Sequence, residues 1–406
     1  MPTKPAIRTS VLSKRWRYSW MFLKNLDFGD IHTIPSLDSL TKIVDQVLMS
    51  CEPSHVQLFR LHFPLICARK SSVSVWIDQL VRLNICELDL RVHRLQLPLS
   101  LFTCKTLTTL TLRQSGYDIY NVWEFQCPVN LPCLKTLDIG VFADPFVNAF
   151  KLVSGCPVLE SLSLEITWRG DERDYVFNIP TLKRLKLTWV KAVTLIHKVV
   201  LNVPNLEYLF VGGVLCSVFV MEDVSSLVEA CVSFREIRFY HLWFELLNGI
   251  HRVKSLSAQN LSSLIDFKFL SASPLPIFPN MKHLELGSFR DRELITQFIE
   301  SSPELKQLCI AKPSGSHWTE PKLVPACMLT NLTTIKFSNY KFTTCDIELL
   351  EYILGNAKVL KTLTITLENL TIEEEMWLCA QLFKFPKASR FCAIHFRGNW
   401  SHSNTS

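Results

Sequence analysis

The 406-residue sequence predicts an α/β solenoid, a parallel sheet whose strands return through helices or irregular segments on the opposite side. Three observations predict it. A six-residue pattern, apolar at its first, fourth and sixth positions, recurs thirteen times. Its spacing averages about 25 residues, inside the 20–29 residue period of leucine-rich repeats. The positions that alternate with the apolar ones are mostly polar, as a strand with one buried face requires.

In chain order, residues 6–20 come first. Ile7, Val11, Leu12, Trp16 and Trp20 form an apolar stripe at helical spacing, with Lys14, Arg15 and Arg17 beside it. So short a helix needs a packing partner to be stable. The repeats follow as LFRLHF from 58, ICELDL from 85, LTTLTL from 107, LKTLDI from 134, LESLSL from 159, LKRLKL from 182 and LEYLFV from 206. They continue as FREIRF from 234, VKSLSA from 253, MKHLEL from 281, LKQLCI from 305, LTTIKF from 332 and LKTLTI from 360. One such strand cannot bury its apolar face alone; stacked neighbours build a continuous core by nearest-neighbour contact. Pro often stands just before the motif, as in IPTLKRL and SPELKQL, and sets up an extended approach. Spacing is uneven and the usual Asn later in the repeat is mostly missing, so an irregular, shallow solenoid is expected. Near the C-terminus, IELLEYILGNAKVL reads as an amphipathic helix ending at Gly355 or Asn356, then a strand.

Composition narrows the function. A net charge of +6 is spread along the chain with no run of five like charges, which argues against nucleic acid as a partner. The longest uncharged apolar run, residues 209–221, is too short for a membrane span of about 20 residues. Fourteen cysteines without a CxxC motif read as reduced thiols of a cytoplasmic or nuclear protein, with Cys104, Cys133 and Cys156 taken as buried. The eleven histidines show no ligand spacing, and no nucleophile elbow, phosphate loop or zinc motif occurs. The acidic run Glu373 to Glu375 follows Thr371 as a helix-capping pattern. No enzyme activity, cofactor or metal is expected.

Residues 2–30 closely resemble the second half of the F-box in plant F-box proteins that carry leucine-rich repeats. Ala6, Arg8, Thr9, Ser10, Leu12, Ser13, Lys14, Arg15, Trp16, Trp20, Leu26, Asp27 and Phe28 occupy the motif's places. The other end resembles the FBD region of the same proteins, through Trp318, Pro321, Val324, Pro325 and Cys327 and through Pro386, Ala388, Ser389 and Arg390. The resemblance implies an F-box that holds a Skp-type adaptor and, through it, a cullin, with Leu12, Trp16 and Trp20 as adaptor-binding candidates. The family's leading Leu-Pro-x-x-Leu helix is missing, with Met1 at the place of its loop leucine, which implies a truncated F-box or a start codon set too far downstream. The domain expectation is a partial F-box at 1–30, a leucine-rich-repeat solenoid at 31–315, an FBD region at 316–398 that continues the array as its cap, and a disordered tail at 399–406.

The implied function is substrate recognition for an SCF-type cullin ubiquitin ligase, with an unidentified target held on the concave sheet. The alternative is a non-ligase interaction protein, or a degenerate product that has lost adaptor binding. Strand alternation places the target candidates Arg184, Lys186, Tyr208, Phe210, Glu236, Arg238 and Tyr240 on one concave patch. A bulge turning Phe210 inward, or a loop covering it, is the alternative for that residue.

Overall fold

A computed structural model describes residues 23–29, 37–50, 56–63, 70–92, 97–114, 128–141, 145–167, 174–191, 197–237, 239–260, 274–289, 292–311, 318–340, 344–367 and 372–398. Leu12, Trp16 and Trp20, and the expected tail, lie outside these residues. The chain forms two compact units, Met1–Thr194 and Leu195–Ser406.

The first unit contains β1 (Asn25–Phe28), α1 (Leu37–Ser50), β2 (Leu58–Phe63), α2 (Lys70–Arg82), β3 (Glu87–Val92), a 3₁₀ turn (Leu99–Thr103), β4 (Thr109–Gln114), β5 (Thr136–Val141), α3 (Pro145–Ser154), β6 (Ser161–Thr167), β7 (Tyr175–Asn178) and β8 (Arg184–Lys191). Its sheet runs β1-β2-β3-β4-β5-β6-β8, and every neighbouring pair is parallel. The strand at Leu26, Asp27 and Phe28, matched to the F-box in the sequence, therefore pairs with β2 and opens the sheet.

The second unit contains β9 (His197–Asn202), β10 (Tyr208–Leu215), β11 (Ser217–Asp223), β12 (Glu229–Ile237), α4 (Tyr240–Gly249), β13 (Ser255–Gln259), β14 (His283–Gly287), α5 (Glu293–Glu300), β15 (Gln307–Ala311), α6 (Ala326–Thr330), β16 (Thr334–Tyr340), α7 (Thr344–Asn356), β17 (Thr362–Leu367), α8 (Ile372–Lys384) and β18 (Ala393–Gly398). Its sheet runs β10-β12-β13-β14-β15-β16-β17-β18, again with parallel pairs. The array thus continues to β18. Where most repeats return through a helix, β9 and β11 pair in parallel with each other instead. HKVVLN and SVFVMED are rich in β-branched residues, which favour that outcome.

The core is a stack of identical rungs. Leu107, Leu110 and Leu112, then Leu134, Leu137 and Ile139, are at most 2% exposed, as are Leu305, Leu308 and Ile310 in the second unit. Burying each such side chain contributes about 1.5–3 kcal/mol relative to exposure. This is the α/β leucine-rich-repeat solenoid the period predicts.

The register departs from the sequence reading twice. At β2 the core positions are Val56, Phe59 and Leu61, so the repeat starts two residues earlier than LFRLHF. At β12 they are Leu227, Ala230 and Val232, so the repeat is LVEACV rather than FREIRF. FREIRF scores better because Phe234, Ile237 and Phe239 are large, whereas Ala230 is a small residue on a core position.

The missing Asn rung has a substitute one position before the strand motif. There Thr106 Oγ1 donates to Ile85 O at 2.8 Å and Thr181 Oγ1 to Leu159 O at 2.7 Å. Asn280 Nδ2 donates to Arg252 O at 3.3 Å and Asn331 Nδ2 to Pro303 O at 3.0 Å. Each side chain satisfies a carbonyl of the preceding repeat that strand pairing leaves open. Cys104 and Cys156 are buried as expected, and burial pushes the Cys156 thiol up to about 12. Cys133 is exposed, contrary to expectation, because it sits in the turn before β5.

Candidate interaction surfaces

In a parallel strand the residues between core positions emerge on the sheet's open face. In the first unit these build a charged lattice. Register sets Asp27 beside Arg60 and Arg60 beside Asp89, while one row along lie His62, Arg91 and Arg113. Arg60 Nη1 is 2.8 Å from Asp27 Oδ2, and its Nε donates to Asp89 Oδ2 at 3.2 Å. Asp89 also lies 2.9 Å from His62 Nε2 and 3.4 Å from Arg91 Nε.

Arg113 forms the second cluster. Its Nη2 donates to both oxygens of Asp138, at 2.9 and 3.0 Å, and its Nη1 reaches Glu165 at 3.4 Å. Glu165 stands two strands away, on β6, with Gly140 of β5 between. A Cβ on Gly140 would meet Glu165 Oε2 at 3.3 Å and Arg113 Cγ at 3.5 Å, so the glycine supplies the gap that the pair spans.

The second unit builds its open face differently. One row runs Phe210, Cys231, Ser257, Glu285, Cys309, Lys336, Thr364 and His395. Short hydrogen-bonding side chains dominate. Gln259 Nε2 donates to Ser257 Oγ at 3.1 Å, Ser257 Oγ to Glu285 Oε2 at 3.1 Å, and Asn260 Nδ2 to Ser233 Oγ at 2.8 Å.

The target candidates are placed as follows. Arg184 and Lys186 are exposed on β8, in register with Ser161 and Ser163. Tyr208 and Phe210 are half-buried on β10, beside Glu229 and Cys231 of β12. Phe210 does stay on the open face. Its ring lies over Gly212, where an added Cβ would come within 2.6 Å of Phe210 Cε1. The bulge falls later, at Gly213 and Val214, with Gly213 at φ 88°, a left-handed conformation suited to glycine.

The remaining three do not join Tyr208 and Phe210 as alternation from FREIRF required. Glu236 is exposed but lies beyond the bulge, in register with Val214. Tyr240 is the first residue of α4, and Arg238 lies outside the described residues. Glu229, Cys231 and Ser233 occupy those places instead. The spacing signal for them was present: Leu227 lies 21 residues after Leu206 and 26 before Val253, against 28 and 19 for Phe234.

The second unit also holds an ion pair inside. Arg292 and Asp346 are each 1% exposed at their side chains, with Nη2 and Nε of the arginine 2.6 and 2.8 Å from Oδ1. Close by in sequence, Trp318 Nε1 donates to Thr296 Oγ1 at 3.3 Å and its ring lies 5.5 Å from that of Tyr352. Burial first, then the Glu320 and Glu300 carboxylates, push the Tyr352 phenol up to about 12. Asp346 and Tyr352 of α7 are thus bound to Arg292 and Trp318.

Comparison with known proteins reads the same regions. The FBD family model matches residues 320–365. The model for the LRR repeats of FBD-associated F-box protein At5g56370 matches residues 73–225. An Arabidopsis thaliana F-box/LRR-repeat protein, At4g14103, is 32% identical across 76% of this chain and 86% of its own length. The chain belongs to the F-box/FBD/LRR-repeat family. Two further Arabidopsis thaliana relatives agree end to end. FBD-associated F-box protein At4g13985 is 29% identical over 97% of this chain and 92% of its own. FBD-associated F-box protein At5g56370 is 28% identical over 98% and 96%. Seen in that family, residues 320–365 are no free-standing module: β16 pairs with β15, and Asp346 pairs with Arg292 outside the match.

Proposed function

We propose that this chain is the substrate-recognition subunit of an SCF-type cullin ubiquitin ligase, acting in the cytoplasm or nucleus. The observation that carries the reading is similarity across nearly the whole chain to relatives named for F-box and FBD together. Leu12, Trp16 and Trp20 would contact the Skp-type adaptor, which links to the cullin. The open sheet faces would hold the target through Arg184 and Lys186 in the first unit and Tyr208 and Phe210 in the second. Aromatic and Arg side chains are the types that dominate interface energetics. The chain itself does no chemistry in this scheme; it brings the target to a ligase.

The test is binding of the purified chain to a Skp-type adaptor by calorimetry. The wild type is expected to bind, and Leu12→Ala with Trp16→Ala and Trp20→Ala to reduce affinity at least a hundredfold at unchanged melting temperature. A wild type that does not bind favours the second reading, a repeat-based interaction protein without ligase coupling. That reading needs only the open faces.

A further inference from the structure

Among the described residues β18 pairs only with β17, in parallel. Ala393 N donates to Lys361 O at 2.9 Å, so by alternation the main-chain groups of Ala393 and His395 face β17. The N–H and C=O groups of Ile394 and Phe396 then face the free edge. Their side chains are less covered than those of the neighbouring rung. Leu363 and Ile365, their register partners on β17, are 0% exposed, whereas Ile394 and Phe396 are half-buried. The same last repeat exposes Trp377 at 53%, Phe383 at 81% and Phe391 at 87%.

From mid-helix to β18 the charge is one-sided, although α8 opens on Glu373 to Glu375. Residues 376–398 include Lys384, Lys387, Arg390 and Arg397 and no Asp or Glu. Lys384, Lys387, Arg390 and His395 are exposed, with Lys387 Nζ 5.5 Å from the Phe383 ring centroid. An open parallel edge with an unfinished apolar side and a basic surround has a specific complement. We propose that β18 takes up an extended segment of a partner protein as an added strand, with apolar residues against Ile394 and Phe396 alternating with acidic residues on the His395 face. Two copies of this chain meeting edge to edge would set like charges together, which disfavours self-pairing. The inference does not depend on ligase coupling.

The test uses the full chain and a fluorescein-labelled seven-residue peptide of alternating Val and Glu, with a Val and Lys peptide beside it. Fluorescence anisotropy is expected to show saturable binding of the Glu peptide and none of the Lys peptide. Ile394→Pro removes one edge N–H without touching the bonds to β17, and His395→Glu adds a negative charge with the edge intact. Each is expected to weaken binding at least tenfold with little change in melting temperature. Equal affinity in wild type and both variants, or no binding to wild type, overturns the proposal. So does a dimer in sedimentation that Ile394→Pro dissolves, which makes a second copy the occupant. Binding only by a chain ended at Gly398 overturns it as well, because residues 399–406 then hold the edge.

Discussion

The two units share one core rule and dress it in opposite ways. Leu110 with Leu112 and Leu308 with Ile310 hold equivalent core positions and are equally buried. On the open face, the first unit sets charges against each other, Arg60 with Asp27 and Asp89, and Arg113 with Asp138 and Glu165. The second unit's described face carries Ser, Thr, Cys and Gln with single charges such as Glu285 and Lys336 among them, and an ion pair, Arg292 with Asp346, lies in the interior. The difference teaches that backbone and core leave the face free to vary.

The largest effect should come from the interior pair. Arg292→Met strands a buried carboxylate and should destabilise the second unit by about 3–5 kcal/mol, and Asp346→Leu in the same chain should restore most of it. Chemical denaturation of the three proteins reads this. If Arg292→Met costs less than 1 kcal/mol, the pair is no anchor for residues 320–365. Next, Gly212→Ala brings a Cβ against the Phe210 ring and to 3.0 Å from Ser233 O, and should cost about 1 kcal/mol because the ring, on the open face, can give way. Phe210→Leu in that background should relieve it, and no relief would mean that the contact with Ser233 O sets the cost.

Arg113→Met should cost about 1 kcal/mol or less, because the Arg113, Asp138 and Glu165 side chains are 24–31% exposed and screened by solvent. That loss should shrink in 0.5 M salt, while the loss from Arg292→Met should not. The smallest expected effect is on reactivity alone. In the native state Cys133 should react with an aromatic disulfide reagent, and Cys156 and Cys327 should not. Both thiols are buried and pushed up to about 12, in each case mainly by burial. Peptide mapping of the labelled protein decides it.

Much of this was legible in the sequence, and the limits have physical causes. Leu at the first, fourth and sixth positions locates most strands because one core rung needs all three. The rule fails at β12, where Ala230 and Val232 are small enough to hide beside Phe234 and Ile237. That two-way fit moved Glu236, Arg238 and Tyr240 onto a face that Glu229, Cys231 and Ser233 occupy. Alternation did put Phe210 outward, but its resting place over Gly212 depends on a contact two residues along the same strand. The partners of Arg113 needed exact register across three strands, and a glycine gap has no signature in composition. Arg292 and Asp346 are 54 residues apart, about two repeats, but the repeat pattern marks strand positions only, so nothing in it joins these two helix-start residues.

Amide hydrogen exchange, resolved by peptide and run at 50 and 500 mM salt, tests the contrast between the two faces most directly. Screening should remove about 1 kcal/mol from the lattice of the first unit, so amides of β2 to β6 should exchange roughly fivefold faster at high salt. Those of β12 to β17 should be unchanged. Equal acceleration in both units, or none in β2 to β6, would contradict the account.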